Sequence, residues 1–287
     1  MSYSSPVQPG AEIMMDGITL FDCTVREAGY QTGWFFDETF LCDYYRFAEA
    51  AGFDYMELGF FHNPEADPNR GLTRYCGLNA AKIKEVFGRT KNILKLSAMR
   101  DIQRPLYPIP PRKDSEIDAI RILTRSKQTD LEDLARHVEE LQDLGYEIFI
   151  NFTSAGRNTV KENTNFARFA KKMGVPVIYF ADTESIFTPK YVVNALETCR
   201  AEGVEAGIHL HNKNGTAEEL LDVALEHGCI FTDSTLMGIG GKWYDGNIPT
   251  ELLMKRFEYN PGYELTRLKT SLIQQLIKYN EHCAAVL

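Results

Sequence analysis

No stretch of the 287 residues approaches the roughly 20 consecutive apolar residues of a membrane-spanning helix, although 44% of the chain is apolar. Cysteine is sparse and scattered. Cys23, Cys42, Cys76, Cys199, Cys229 and Cys283 include no C-x-x-C pair, which argues against a disulfide framework and a cysteine zinc site. They read instead as small, mostly buried hydrophobes. Residues 1–10 hold neither a basic stretch nor an apolar core, so no secretory signal is apparent and a cytoplasmic protein is expected. Positive charge is short as well: 31 Lys and Arg face 40 Asp and Glu, a formal charge of −9. That balance opposes nonspecific binding to nucleic acid or to an anionic membrane, and an anionic small substrate would need a locally positive pocket. Finally, no G-x-G-x-x-G follows the first apolar run, which weakens a dinucleotide-binding reading.

What is present is an alternation of short apolar runs with longer amphipathic stretches, the pattern of a parallel sheet covered by helices. The strand candidates are Ile18 to Cys23, Tyr55 to Gly59, Ile93 to Ala98, Ala119 to Leu123, Glu147 to Asn151, Val175 to Ala181, Ala206 to Leu210 and Ile230 to Ser234. Helical patterns run over Glu38 to Ala51, Ala80 to Phe87, Thr129 to Leu144, Asn163 to Met173, Thr188 to Glu202, Thr216 to His227 and Ile248 to Phe257. Gly52, Gly145, Gly174, Gly203 and Gly228 supply stop signals. Eight rounds in a chain of this length predict a closed (β/α)8 TIM barrel over 18–260, after an N-terminal extension over 1–17. A helical tail over 261–287 follows, with Leu265, Leu268, Leu272, Leu276 and Ile277 spaced for one apolar face. Two segments interrupt the rhythm: Phe60 to Gly77, and Arg100 to Ser115 with four of the twelve prolines. Both follow strands, so they are expected to be lids or substrate walls, or else contacts between subunits of a homodimer.

The chemistry concentrates at strand ends. In Gly207-Ile208-His209-Leu210-His211-Asn212-Lys213-Asn214-Gly215, the two histidines stand two apart and project to one face, a metal-ligand arrangement. Two ligands alone do not make a site. Strand one ends in Asp22-Cys23-Thr24-Val25-Arg26-Glu27, strand two in Glu57 and strand six in Asp182-Thr183-Glu184. Gly238-Ile239-Gly240-Gly241 and Gly246-Asn247-Ile248-Pro249-Thr250-Glu251 follow strand eight. Catalytic groups on this fold come from the C-terminal ends of several strands, and these residues converge there.

Three of these motifs, D-x-T-x-R, H-x-H-N-x-x-G and G-x-G-G with G-N-x-x-T-E, taken in order from Ile18 to Glu251, resemble the DRE-TIM metallolyases. That family includes 4-hydroxy-2-oxovalerate aldolase, 3-hydroxy-3-methylglutaryl-CoA lyase, isopropylmalate synthase and citramalate synthase. The chain is most similar to the aldolase branch. The resemblance implies metal ligands at Glu27, His209, His211 and Asn247, a nitrogen and oxygen shell suited to Mn²⁺ or Mg²⁺ and open to Zn²⁺ or Co²⁺. It implies that Arg26 stabilises an enolate oxygen and that Glu57 holds Arg26. The expected reaction breaks or forms a carbon–carbon bond beside a small 2-oxo acid, through pyruvate enolate.

The chain departs from the family pattern at Glu27, where the family has aspartate, and at Ala28, where it has glycine. Tyr30 stands where the best-known aldolases have their histidine base, so Tyr30, His62 or a metal-bound water are the candidates for that role. Glu184 replaces a small residue, and Asp182, Glu184 and His62 are the candidate substrate contacts. Two rival accounts follow: a Claisen condensing enzyme using acetyl-CoA, disfavoured by the lack of a large C-terminal domain, and a degenerate barrel that binds a metabolite or partner. The same lack suggests a stand-alone enzyme. His137 and His227 read as surface or capping groups. Lys242, Arg121 and Arg125 read as anion contacts or ion-paired residues, and Trp243 and Tyr244 as pocket walls or subunit contacts.

Overall fold

The computed structural model describes residues 17–88, 93–240, 246–257 and 263–284. Eight parallel strands pair in sequence order and the last closes on the first: β1 (Thr19–Asp22), β2 (Tyr55–Phe60), β3 (Lys95–Asp101), β4 (Ala119–Arg125), β5 (Glu147–Thr153), β6 (Val177–Ala181), β7 (Glu205–His209) and β8 (Phe231–Ser234). Every apolar run expected to be a strand is one, within a few residues at each end. The helices among the described residues are α1 (Thr24–Thr32), α2 (Glu38–Ala50), α3 (Ala80–Phe87), α4 (Leu131–Asp143), α5 (Val160–Met173), α6 (Pro189–Glu202), α7 (Ala217–Glu226), α8 (Thr250–Arg256) and α9 (Tyr263–Ala284).

Local signals explain most boundaries. Thr159 and Glu162 form a reciprocal capping box that starts α5, and Gly174 ends it in the left-handed conformation. Thr188 caps α6 ahead of Pro189, and Gly203 closes it. Between β3 and β4 the described chain has only a short 3-10 turn, Arg112–Asp114, in place of an outer helix. Pro105, Pro108, Pro110 and Pro111 account for this, since each lacks the N–H that a helix interior requires. The unexpected element is α1. Thr24, Val25, Arg26, Glu27, Ala28 and Gly29 are all buried, so this helix has no exposed face and no amphipathic stripe to betray it.

Side chains alternate along each strand, and the inward set fills the barrel in layers. At the bottom, Phe21 stacks on Tyr55 with ring centroids 4.3 Å apart, and Phe149 and Tyr179 meet Phe21 edge-on at 5.2 and 5.7 Å. β7 carries Gly207 against this layer because a Cβ there would stand 2.5 Å from the Tyr179 ring. Above the rings the inward positions turn polar: Glu57, Arg121 and Asp233 are buried in mid-barrel. The aromatic floor therefore seals the polar layer from below.

Helix α9 packs on α1 and α2. Leu268 and Leu272 are buried there, whereas Ile277 faces out, because it lies one position after Leu276 and so rotates off the stripe. Polar contacts complete the attachment. Tyr279 donates to Asp37 at 2.9 Å, Gln275 accepts the Asp37 amide at 2.8 Å, and Lys269 pairs with Glu251 at 2.8 Å. The five described cysteines are free thiols, and no described helix is long and apolar enough to cross a membrane.

If the ring layer is the packed floor of the barrel, Phe149→Ala lowers stability by about 3–5 kcal/mol, read from urea unfolding. A loss under about 1 kcal/mol would mean that the layer is loosely packed.

Candidate active site

The D-x-T motif sets the position of α1. One Asp22 carboxylate oxygen accepts the Thr24 amide at 3.0 Å, and the other accepts Tyr44 Oη at 2.6 Å and Thr24 Oγ1 at 3.0 Å. Thr24 Oγ1 in turn accepts the Leu236 amide at 2.7 Å, tying the loop after β8 to the start of α1. Burial pushes Asp22 up to about 7, with the Tyr44 and Thr24 hydrogen bonds opposing it. The first turn of α1 is thereby held over the barrel mouth, and Arg26 and Glu27 face inward from it.

A continuous buried ionic circuit joins this helix to four strands, β2, β4, β7 and β8. Arg26 Nε bonds Glu57 Oε2 at 2.6 Å, and Arg121 Nε lies 3.2 Å from Glu57 Oε1. Arg121 Nη1 reaches Asp233 Oδ2 at 2.5 Å, and that oxygen lies 2.7 Å from His209 Nδ1. His209 Nε2 stands 3.4 Å from Glu27 Oε1, and Glu27 contacts Arg26, which closes the circuit. Burial alone would raise Glu27, but Arg26 and His209 outweigh it and hold the carboxyl well below its usual range. Asp233 is likewise held down to about 2 by Arg121 and His209 against burial. Burial pushes His209 down, yet Asp233 and Glu27 prevail and raise it. Among the fixed charges, two guanidinium groups, Arg26 and Arg121, face three carboxylates, Glu27, Glu57 and Asp233, so the buried circuit holds one carboxylate more than its arginines balance.

The donors around that charge fit a divalent cation. Ligand atoms of Glu27, His209 and His211 lie within 4.8 Å of one another. Asp233 on Nδ1 fixes the His209 tautomer and leaves Nε2 for a ligand. Asn247 is bridged to His211 backbone to backbone, and its Nδ2 donates to the Ile239 carbonyl at 3.0 Å. Its buried Oδ1 has no hydrogen-bond partner, as expected of a ligand oxygen. Gly240, with φ of 137°, allows this: a Cβ there would lie 2.3 Å from Asn247 Nδ2 and 2.5 Å from Glu27 Cβ. Cys23, His209 and Asp233 form a second close group, but Arg121 already supplies its cation, and burial pushes the Cys23 thiol well up.

The acidic group opens on a cavity of about 240 Å³ that is also lined by Arg26, Tyr30 and His62. Arg26 spends Nε and Nη1 on Glu57 and Glu27, while its buried Nη2 has no partner. Tyr30 packs edge-on against Trp34 at 5.0 Å, and burial with the Glu27 charge raises its phenol. Burial and Arg74 push His62 down to about 4. Arg74 Nη2 lies 3.4 Å from His62 Nε2; because Arg only donates, Nε2 accepts and the ring proton sits on Nδ1.

Other residues singled out in the sequence sit elsewhere. Asp182 does not line this cavity: its carboxylate accepts the amides of Ile186 at 2.7 Å and Phe187 at 3.1 Å, shaping the loop after β6. Glu184 is also outside the lining and pairs with Arg157 at 2.8 Å. Glu57 pairs with Arg26 and Arg121 and does not line the cavity. Arg121 is a buried ion-paired residue, whereas Arg125 lines the cavity and pairs with Asp101. His137 lies beside Asp133 and Glu140, and His227 ends α7. Lys242, Trp243 and Tyr244 lie outside the described residues.

Two participants escaped the sequence reading. Asp233 could have been found as a carboxylate two positions from Phe231 on the inward phase of β8. Asn151 ends the fifth apolar run, lines the cavity, and keeps a buried Oδ1 without a partner.

Comparison with known proteins finds relatives of the chain. The HMGL-like family model matches residues 113–278. The chain is 25% identical over 266 residues to a 4-hydroxy-2-oxovalerate aldolase of Carboxydothermus hydrogenoformans, covering 89% of this chain and 76% of that protein. It is 25% identical over 225 residues to an oxaloacetate decarboxylase of Mycobacterium tuberculosis, covering 77% of this chain and 65% of that one. In structure it superposes on the N-terminal domain of a candidate aldolase from Bacteroides vulgatus with a TM-score of 0.77 at 22% identity, over 91% and 88% of the two chains. An HMG-CoA lyase from Brucella melitensis gives 0.66 at 18% identity, over 90% and 98%. These structural likenesses concern the fold.

Two measurements check the electrostatic picture. Glu57→Ala takes from Arg26 and Arg121 the carboxylate they share, leaving Arg26 only Glu27 and Arg121 only Asp233, and lowers stability by about 3–5 kcal/mol in urea unfolding; a loss under about 1 kcal/mol would contradict the buried circuit. His62 stays neutral in the fold down to about pH 4, below its ordinary 6.5. The unfolded chain therefore takes up the proton first, so the contribution is present above pH 6.5 and is lost as pH falls from 6.5 towards 4. An NMR titration of this imidazole has its midpoint near 4, and a midpoint near 6.5 would show that the ring is freely hydrated.

Proposed function

The chain belongs to the HMGL-like family, and on that premise we propose that it is a divalent-metal-dependent lyase, making or breaking a carbon–carbon bond beside a 2-oxo acid through a pyruvate-type enolate. One observation carries the reading: Arg26, with a buried Nη2 left without a partner, lines the same cavity as Glu27, His209 and His211. A guanidinium held rigid by two carboxylates is a preorganised donor for an oxygen that gains negative charge, and needs no rearrangement when that charge develops. Glu27, His209, His211 and Asn247 would hold Mn²⁺ or Mg²⁺. A divalent cation held there would supply electrophilic stabilisation of negative charge developing on the substrate's oxygens.

In the cleavage direction the bond between C3 and C4 of a 4-hydroxy-2-oxo acid breaks. Its electron pair passes into the enolate, the 4-oxygen loses its proton as an aldehyde forms, and C3 is later protonated to give pyruvate. Tyr30 is the residue we assign to the proton at the 4-oxygen. Its phenol, raised by burial and by the Glu27 charge, carries its proton at neutral pH and so can hand it to that oxygen in the condensing direction, the reverse transfer serving cleavage. His62 presents Nδ1–H and Asn151 presents a carbonyl oxygen, a donor and an acceptor for the substrate's hydroxyl or carbonyl groups. Glu57 positions Arg26. The relatives named as 4-hydroxy-2-oxovalerate aldolases support this substrate class. The relative named oxaloacetate decarboxylase favours a second reading, loss of CO2 from a 3-carboxy-2-oxo acid, which passes through the same enolate.

Exchange of pyruvate methyl protons with deuterium reports enolate formation without an aldehyde. With Mn²⁺, wild type exchanges them, His209→Ala loses both metal and exchange, and Arg26→Gln keeps metal but slows exchange by about 10²–10³. A metal-loaded wild type that does not exchange would sink the proposal. Release of CO2 from oxaloacetate, with no aldol product from any aldehyde, would favour the second reading.

A further inference from the structure

Beside the cavity just described lies a second one of about 510 Å³, and the two share Tyr30, His62, Arg74 and Arg104 as a common wall. Charge on this wall is arranged in two similar groups. Asp67 holds Arg70 Nε at 3.0 Å and Arg74 Nη2 at 2.6 Å. Asp101 holds Arg104 Nε at 2.9 Å and Arg125 Nη2 at 3.4 Å. Each carboxylate is shared by two guanidinium groups, so each group carries one surplus positive charge. A chain with a net charge of −9 thus concentrates a surplus of two positive charges where its two cavities meet.

The wall is built rather than incidental. Arg74 is buried and lies over the rings of Trp34 at 4.0 Å and Phe60 at 4.5 Å, which fixes its plane. A guanidinium so held offers its edge to an anion in one geometry, and several together favour a multiply charged, many-oxygen group. His62 adds a neutral donor through Nδ1–H without altering the charge. Nothing in the 4-hydroxy-2-oxo acid core calls for this, since its single carboxylate is matched by the cation that Glu27, His209, His211 and Asn247 would hold, and its keto oxygen by Arg26.

We propose that this wall binds a phosphoryl dianion carried on the aldehyde half of the substrate, so that the enzyme joins pyruvate to, or releases it from, a phosphorylated aldehyde whose chain extends into the second cavity. The inference rests on the enolate reading above. In the condensing direction the enolate carbon C3 bonds to the aldehyde carbon, the carbonyl electron pair moves to oxygen, and that oxygen takes a proton. The phosphoryl group is unchanged throughout and serves as a handle, its binding energy positioning the carbonyl carbon against C3.

The test uses the full chain loaded with Mn²⁺, pyruvate, and three aldehydes: glyceraldehyde 3-phosphate, glyceraldehyde and succinic semialdehyde. The expected result is a kcat/KM for the phosphorylated aldehyde at least 100-fold above that for glyceraldehyde, with the ratio falling at least tenfold in Arg104→Met and in Arg125→Met. A ratio near one, or preference for the carboxylate-bearing aldehyde, overturns the phosphoryl assignment. Calorimetry with glycerol 3-phosphate separates this site from the enolate chemistry. Binding that Arg104→Met weakens at least tenfold supports the anion site even if wild type fails to exchange pyruvate protons, and absence of binding overturns it even if exchange is intact.

Discussion

The buried pairing of Arg121 with Asp233 and Glu57 is the interaction on which the mouth of this barrel depends. Arg121 is fully buried, lies 4.4 Å from the centroids of the Phe21 and Tyr179 rings, and reaches carboxylates on β8 and β2. Such a group is costly to desolvate and worthwhile only when every charge around it is matched. Here the matching propagates outward. Asp233 orients His209, Glu57 orients Arg26, and Arg26 and His209 together hold Glu27 ionised. A cation site and an oxyanion donor are thus fixed by one electrostatic circuit resting on an aromatic floor.

This arrangement accommodates glutamate at position 27. Glu27 comes from a helix whose start is pinned by Asp22, Thr24 and Tyr44, and Gly240 yields the space beside its Cβ. The longer side chain is therefore held by its surroundings at both ends, on Arg26 and near His209 Nε2. The departure from aspartate that motivated a degenerate-barrel account is compatible with a compact, ordered donor set.

The fold was legible because strands of a parallel barrel are short apolar runs and their covering helices are amphipathic, and both patterns survive in one sequence. Pro105, Pro108, Pro110 and Pro111 account for the stretch without an α-helix between β3 and β4, which in the sequence stood out only as a break in the rhythm. The site was legible only in part. His209 and His211 advertise themselves by two-residue spacing, but α1 is buried on all sides and carries no periodic signal. Asp182 looked like a rim carboxylate, yet Ser185, with φ of 51°, turns the chain so that the amides of Ile186 and Phe187 fall on it. Arg70 and Arg74 lie far from Arg104 and Arg125 in sequence, and only the fold brings the loop after β2, the loop after β3 and the end of β4 to a common wall. Charge of one sign gathered from separate segments is a tertiary property, invisible to any window along the chain.

The account stands on the claim that Glu27, His209, His211 and Asn247 form one cation site shaped by the buried circuit. Anomalous diffraction from crystals grown with Mn²⁺ tests this directly. The account predicts one strong peak in contact with a Glu27 oxygen, His209 Nε2, a His211 ring nitrogen and Asn247 Oδ1, with Asp233 still on His209 Nδ1. No peak there, or a Mn²⁺ held by other residues while His209 Nε2 faces away, would contradict it.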